Sequence, residues 1–211
     1  MDKLTMQQVE LVVKTMADTA IKNEAYFSEL DGVMGDADFG TSLAGGFRAV
    51  QKGWDGFDHS NIGNFLLNVS STITGNTGGC SGPVWGTLFM RCGMAFKGKT
   101  EINIEDIITG LKSAIEGISK RGGAVLGDKT LLDALNAIVV SLEDSKGKGE
   151  ELLEAFKKAS AVAVETRETT KGWSAKRGRQ SFTGDRSIGT LDPGIVAVGD
   201  MTVEIVKALA D

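Results

Sequence analysis

The chain has 211 residues, 41% of them hydrophobic and 24% charged, and a formal net charge of −5. That length and apolar fraction suit a single domain over residues 1–211 with a substantial core. The acidic balance, with a pI near 5.1, argues against a nucleic-acid-binding protein, which needs a basic face. No apolar run is long enough to span a bilayer, and "MDKLTMQQVE" lacks the apolar stretch of a signal peptide. Cys80 and Cys92 are the only cysteines, too few for a disulfide framework, so the expected setting is the reducing cytoplasm.

Taken in chain order, the periodicity is helical almost throughout. Thr5 and Gln8 have the spacing of a capping box, and Met6, Val9, Val12, Val13 and Met16 recur behind them on one helical face. A glycine-rich acidic turn follows, "LDGVMGDADFGTS" at 30–42, with Asp31, Asp36 and Asp38 close together. A helix is expected near 41–53, then a polar linker at 54–60. Ile62, Phe65, Leu66, Val69 and Ile73 form the next stripe, capped by Ser60 or Asn61. "TGGCSGP" (77–83) leads into a helix near 83–97. Ile107, Leu111, Ala114, Ile115 and Ile118 make another stripe, and "KRGGAVLGDKT" (120–130) separates it from Leu131, Leu132, Leu135, Ile138, Val139 and Leu142. Helices near 148–170 and 193–210 complete the chain. Pro83 and Pro193 both stand where a helix would begin, a place that tolerates a missing N–H. The sum is an all-α fold of about eight helices with no strand alternation.

In an antiparallel up-and-down bundle, alternate junctions lie at the same end. The four odd-to-even junctions are then the acidic turn, the 77–83 glycine loop, the 120–130 loop and "AKRGRQSFTGDRSIGTLDPG" (175–194). The remaining linkers, near 54–60, 98–103 and 144–149, are plainly polar. A site built from four loops at one rim is therefore expected. Glycine supports this, with 28 residues concentrated in these junctions, where ordinary caps and turns account for only some of them.

Three neighbouring carboxylates raise one another's pKa unless a cation offsets their repulsion. Oxygen ligands without His or Cys suit a hard ion such as Mg²⁺ or Ca²⁺. An EF-hand is excluded, because the twelfth position counted from Asp36 is Phe47. Asp38-Phe39-Gly40 spells the protein-kinase metal triplet, but the companion signatures are missing. Gly122 to Thr130 nearly spells a P-loop; Asp128 intrudes before Lys129, and no strand precedes it. The helix starts after "GGCSGP" and Asp192-Pro193-Gly194 leave backbone N–H groups available to an anion. Lys171, Lys176, Arg177, Arg179 and Arg186 form a basic cluster able to face phosphate. Trp173 and Phe182 are read as core residues, with stacking on a base as the alternative. His59, the sole histidine, falls in an exposed linker, so a histidine-dependent mechanism within this chain is not expected and no catalytic residue is assigned.

Together "LDGVMGDADFG", "GGCSGPVWGT", "GDKTLLDAL" and "GRQSFTGDRSIGTLDPG" resemble the L-subunit family of dihydroxyacetone kinase, in order and over nearly the whole chain. The resemblance implies an eight-helix barrel with an adenine nucleotide, ADP or ATP, and two Mg²⁺ at one rim. It implies that Asp31, Asp36 and Asp38 hold the metals, and that Phe39, Gly40, Thr41 and Ser42 line the nucleotide. Cys80 and Ser81 would contact phosphate, Gly122 and Leu131 would shape the adenosine pocket, and Arg179, Asp192, Pro193 and Gly194 would close the far side. It further implies a K subunit that carries dihydroxyacetone or a related short ketose. Many L subunits fed by the phosphoenolpyruvate-dependent phosphotransferase system read Asp-His-Gly where this chain has Asp38-Phe39-Gly40, which points toward direct use of ATP. The "GDRSIGTLDPG" loop and the length of a free-standing subunit point toward a donor regenerated by phosphotransferase proteins, the reading slightly favoured. A nucleotide-sensing module without turnover and a Mg²⁺-dependent phosphohydrolase are the rival functions.

Overall fold

A computed structural model describes residues 1–211. It contains nine α-helices: α1 (Met6–Lys22), α2 (Glu24–Gly32), α3 (Phe39–Gly53), α4 (Ile62–Asn76), α5 (Ser81–Ala95), α6 (Ile104–Gly122), α7 (Leu131–Gly147), α8 (Leu152–Lys171) and α9 (Pro193–Ala210). The count exceeds the expected eight because the first arm is broken at Asn23. There Asn23 leaves helical geometry (φ −97°, ψ 13°), and its side-chain amide donates to the Thr19 carbonyl (3.0 Å) that also accepts its own backbone N–H. The periodicity of apolar residues runs on through the break and does not register it. Taken as one bent arm, α1 and α2 restore an eight-membered arrangement.

Each arm packs on its chain neighbours, and α9 returns to α1, so the helices close into a ring. Inside lies a core of 38 buried residues. Phe47 of α3 meets Trp85 and Phe89 of α5 edge-on, at centroid distances of 6.3 and 6.2 Å. α4 and α5 approach at Gly63 and Gly93; a Cβ on Gly93 would lie 2.9 Å from the Gly63 carbonyl oxygen. The interior holds an apolar cavity of about 220 Å³ that includes Leu4, Phe96, Ile102, Leu135 and Val198 in its wall and none of the acidic-turn carboxylates.

One correction concerns strands. Lys3–Thr5 (β1) and Glu101–Asn103 (β2) form a two-stranded antiparallel ribbon with Leu4 opposite Ile102. Three residues each are too few to show alternation, and both centres are buried. The ribbon closes one end of the barrel. There Leu152 N–H donates to the Met1 carbonyl (3.1 Å) and Ile62 N–H to that of Lys99 (2.8 Å). The other end carries the four loops.

Candidate functional site

The acidic turn is organised by Asp31, which lies in the last turn of α2 and is 8% exposed. Its Oδ2 accepts the backbone N–H groups of Asp38 (3.1 Å) and Phe39 (3.4 Å), capping α3 from across the loop. The reversal between them uses Ala37 at φ 61°, a left-handed conformation that costs a non-glycine residue about 1–2 kcal/mol and concentrates at functional sites. Asp36 and Asp38 stay exposed, and one oxygen from each of the three acids falls within 4.8 Å of the others. Burial raises the Asp38 carboxyl above its ordinary value, and repulsion from Asp36 and Asp31 adds to it; Arg179 opposes. Arg179 Nε stands 2.8 Å from Asp36 Oδ2, bringing the fourth loop onto the first.

The other loops join the same rim. Gly40, at the start of α3, is pressed against α2: a Cβ there would lie 2.0 Å from the Glu24 carbonyl oxygen. Thr41 is exposed and Ser42 half-buried, with the Thr41 N–H donating to Ser28 Oγ (3.2 Å). Phe39 is half-buried and turns its ring toward Phe27, 6.2 Å away. A Cβ on Gly78 would sit 2.9 Å from Ser42 Oγ, which places the glycine loop beside α3. α5 begins at Ser81, two residues before Pro83, and its N-cap Cys80 makes no side-chain capping bond. Cys80 is exposed there, and the first N–H groups of α5 have no side-chain cap.

Gly122 ends α6 in an exposed position, and Gly123 turns the chain at φ 67°. Thr130 and Asp133 form a capping box for α7, while Asp133 also accepts Gly127 N–H (2.7 Å). Asp128 binds the Arg177 guanidinium (3.1 Å). Burial opposes ionisation of Asp128, but the Val125 N–H and Arg177 together hold its carboxyl below the usual range. Leu131 borders the start of α9, within 3.4 Å of where a Gly194 Cβ would stand. Asp192 caps α9 through Ile195 N–H (2.9 Å), with Pro193 in its first turn. Its half-buried carboxyl is densely surrounded, which pushes it up to about 7 against the pull of the α9 N–H groups and Lys129.

All fifteen site residues expected from sequence therefore lie on the rim loops or the helix ends that border them. The basic cluster divides: Arg179 faces the acidic turn, Arg177 binds the third loop through Asp128 and Gly123, Lys171 pairs with Glu168, and Arg186 turns to the Thr183 carbonyl. Two aromatic readings change. Phe182 is 88% exposed and Trp173 36% exposed, so neither is a core residue; both lie on the outer side of a loop whose Ala175, Gln180 and Ser187 are buried. His59 lies at the ribbon end and is half-buried between Glu10 and the Trp54 carbonyl. Sequence reasoning missed Asp128 as a tie between loops, and also Thr77 Oγ1 and Gln180 Oε1, buried oxygens without a protein partner at the rim. The Asp128-Lys129 interruption of a near P-loop was the available signal for the first.

The donor set suits a hard divalent cation: three carboxylates, one already oriented by backbone amides, with no imidazole or thiolate among them. An uncapped helix start beside it suits phosphate oxygens.

The DAK2 domain profile matches residues 33–210. The chain belongs to the DAK2 domain family. Among curated relatives it is 34% identical over 173 residues to the Escherichia coli "PEP-dependent dihydroxyacetone kinase, ADP-binding subunit DhaL", covering 82% of each chain. It is 36% identical over 174 residues to the Lactococcus lactis "PTS-dependent dihydroxyacetone kinase, ADP-binding subunit DhaL", again covering 82% of each. Human "Triokinase/FMN cyclase" is 29% identical over 205 residues, 96% of this chain but 35% of that one. The solved structure "Crystal structure of the dihydroxyacetone kinase from C. freundii in complex with AMP-PNP and Mg2+" superposes with a TM-score of 0.67 at 26% identity, over 98% of this chain. The chain spans 33% of the length of that solved kinase. The resemblance read from the four motifs stands, as does the mostly α-helical fold. These DAK2 relatives are phosphotransferases acting on an alcohol group.

Proposed function

We propose that this chain is the adenine-nucleotide-binding subunit of a dihydroxyacetone kinase, passing a phosphoryl group to dihydroxyacetone or a related short ketose held on a separate K subunit. The observation that carries the proposal is the convergence of Asp31, Asp36 and Asp38 opposite Arg179, beside the uncapped start of α5. In this reading the three aspartates hold two Mg²⁺, and the bound metal–nucleotide supplies an activated terminal phosphoryl group. The α5 N–H groups, Cys80 and Ser81 receive phosphate oxygens. Phe39, Gly40, Thr41, Ser42, Gly122 and Leu131 surround the nucleotide, and Arg179 with Asp192-Pro193-Gly194 bounds the other side. A guanidinium released from Asp36 can make two parallel hydrogen bonds to a phosphoryl group as charge shifts during transfer. The sole histidine lies at the far end, paired with Glu10 and away from the acidic turn, so it has no part in the transfer proposed here.

The setting proposed is cytoplasmic; no helix is long and apolar enough to cross a membrane. Native mass spectrometry of the purified chain tests the site directly. ADP or ATP travelling with divalent metal is the expected result, and a chain that binds neither after incubation with Mg-ADP would refute the function.

For the donor we favour in-place rephosphorylation of ADP by a phosphotransferase-system protein, because the two relatives of like length carry PEP- or PTS-dependent names. Excess ATP, a K subunit and dihydroxyacetone without phosphotransferase proteins should give about one turnover per chain and then stall. Sustained turnover would make ATP the substrate instead.

A further inference from the structure

Lys129 enters the site described above only through its charge beside Asp192, yet it is among the largest fully buried side chains in the protein, with 0% exposure. An isolated buried ammonium is costly unless its hydrogen bonds are met. Its Nζ donates to the carbonyl of Ser187 (2.7 Å) and to that of Trp173 (3.1 Å). Those two carbonyls flank the excursion that carries Arg177, Arg179, Phe182 and Arg186. The backbone around the two points is tied as well: Ala175 N–H donates to Ser187 Oγ (2.8 Å), and Gly189 N–H to the Lys171 carbonyl (2.8 Å). Lys129 itself holds φ at 62°, so the chain accepts an unfavourable backbone in order to aim this side chain inward. Burial lowers the Lys129 pKa, and the neighbouring Asp192 carboxylate opposes that shift.

We propose that Lys129 is a positioning residue whose buried Nζ closes the neck of the 173–187 loop and thereby holds Arg179 over the acidic turn. A lysine is suited to this task because its three N–H donors radiate from one atom and can bind carbonyls from two separate strands of chain. Arg179 is 65% exposed and makes one ion pair at its tip. Its position is therefore set by the loop beneath it, whose first half is also held by Arg177 on Asp128 and Gly123 and by the Lys176 N–H on the Asp128 carbonyl. The Lys129 ammonium is the one buried side-chain cation that bridges the two ends of the neck. The link to catalysis rests on the function proposed above, whereas the closure of the neck does not.

The test uses the full chain and two measurements. Lys129→Met keeps the stem and removes the donors; Lys129→Gln, a milder change, serves if the first variant does not fold. Without nucleotide, hydrogen exchange across 173–189 should quicken relative to wild type while exchange at the ribbon end is unchanged. With Mg-ADP, affinity should fall roughly tenfold in the Lys129 variant, and most of that loss should vanish when Arg179→Ala is already present. Equal losses in both backgrounds would show that Lys129 acts independently of Arg179 and would overturn the inference. So would exchange across 173–189 that matches wild type. The exchange result decides the neck closure even if the wild-type chain binds no Mg-ADP, an outcome that would sink the proposed function alone.

Discussion

The two ends of the barrel are built on opposite terms. At the ribbon end, most polar groups satisfy one another, although α8 starts without a side-chain cap and Ser145 Oγ and Glu150 Oε2 lack a protein partner. Thr5 with Gln8 and Asn103 with Asp106 form reciprocal capping boxes, Asn61 caps α4, and the amino terminus pairs with Glu151. At the loop end, three carboxylates crowd together with one exposed arginine to offset them, α5 starts without a side-chain cap, and Ala37 and Lys129 hold left-handed backbones. Such unmet demand is what a charged ligand would relieve. The same helices serve both ends, so the difference lies in the loops alone.

The comparison can be broken most directly at the acidic turn. Asp38→Asn removes a metal ligand's charge while the phosphate charge remains, and Mg-ADP affinity measured calorimetrically should drop on the order of a hundredfold. Unchanged affinity and metal content would show that the crowded end needs no cation. Ligand removal is next in size. Saturating Mg-ADP at about 100 times its dissociation constant should add about 2.7 kcal/mol of stability, which for a chain of this size raises Tm by roughly 5–10 °C; EDTA should reverse it. An unaltered melting curve after verified metal removal would mean that the loop end is satisfied without a ligand.

Arg179→Lys should then separate chemistry from folding. Lysine keeps the charge but loses the planar pair of donors, so transfer should slow roughly tenfold while Tm stays within about 1 °C. Full activity would reduce Arg179 to a surface residue paired with Asp36. The smallest effect belongs to the ribbon end. The Trp54 carbonyl raises the His59 pKa, burial opposes it, and Glu10 adds to the rise. A folded pKa above the unfolded one gives stability that is complete below about pH 6.5 and is lost as pH climbs through the folded value. Glu10→Gln should flatten that part of the pH–Tm curve by no more than about 1 kcal/mol, leaving Mg-ADP affinity untouched. A change in affinity would couple two ends that the structure keeps apart.

What the sequence disclosed follows the range of the forces involved. Helices were legible because side chains three and four residues apart share a face, and the acidic turn because its three acids lie within eight positions. Even the gathering of four loops at one rim needed only the alternation of an up-and-down chain. Distant pairings were hidden. Asp128 and Arg177 are 49 residues apart and Lys129 and Ser187 are 58 apart, and no local pattern marks either partner. The Asn23 break was invisible because a side chain turning back on its own helix leaves the apolar stripe intact. Phe182 misled for the opposite reason: an aromatic residue on the outer side of a loop has the composition of core without the surroundings.

Gly35 draws one more consequence from the way Asp31 is seated. A methyl group at position 35 would fall 2.3 Å from Asp31 Oδ1, the oxygen not engaged with α3. Replacing glycine with alanine is among the mildest edits available to a protein, yet here the added methyl would also meet the Asp31 carbonyl oxygen at 2.7 Å, so the acid's side chain or the turn backbone would have to shift. The turn thus discriminates by volume as well as by charge. Its mutational tolerance should be low at Gly35 and Gly40, which carry no functional group, as well as at the acids themselves.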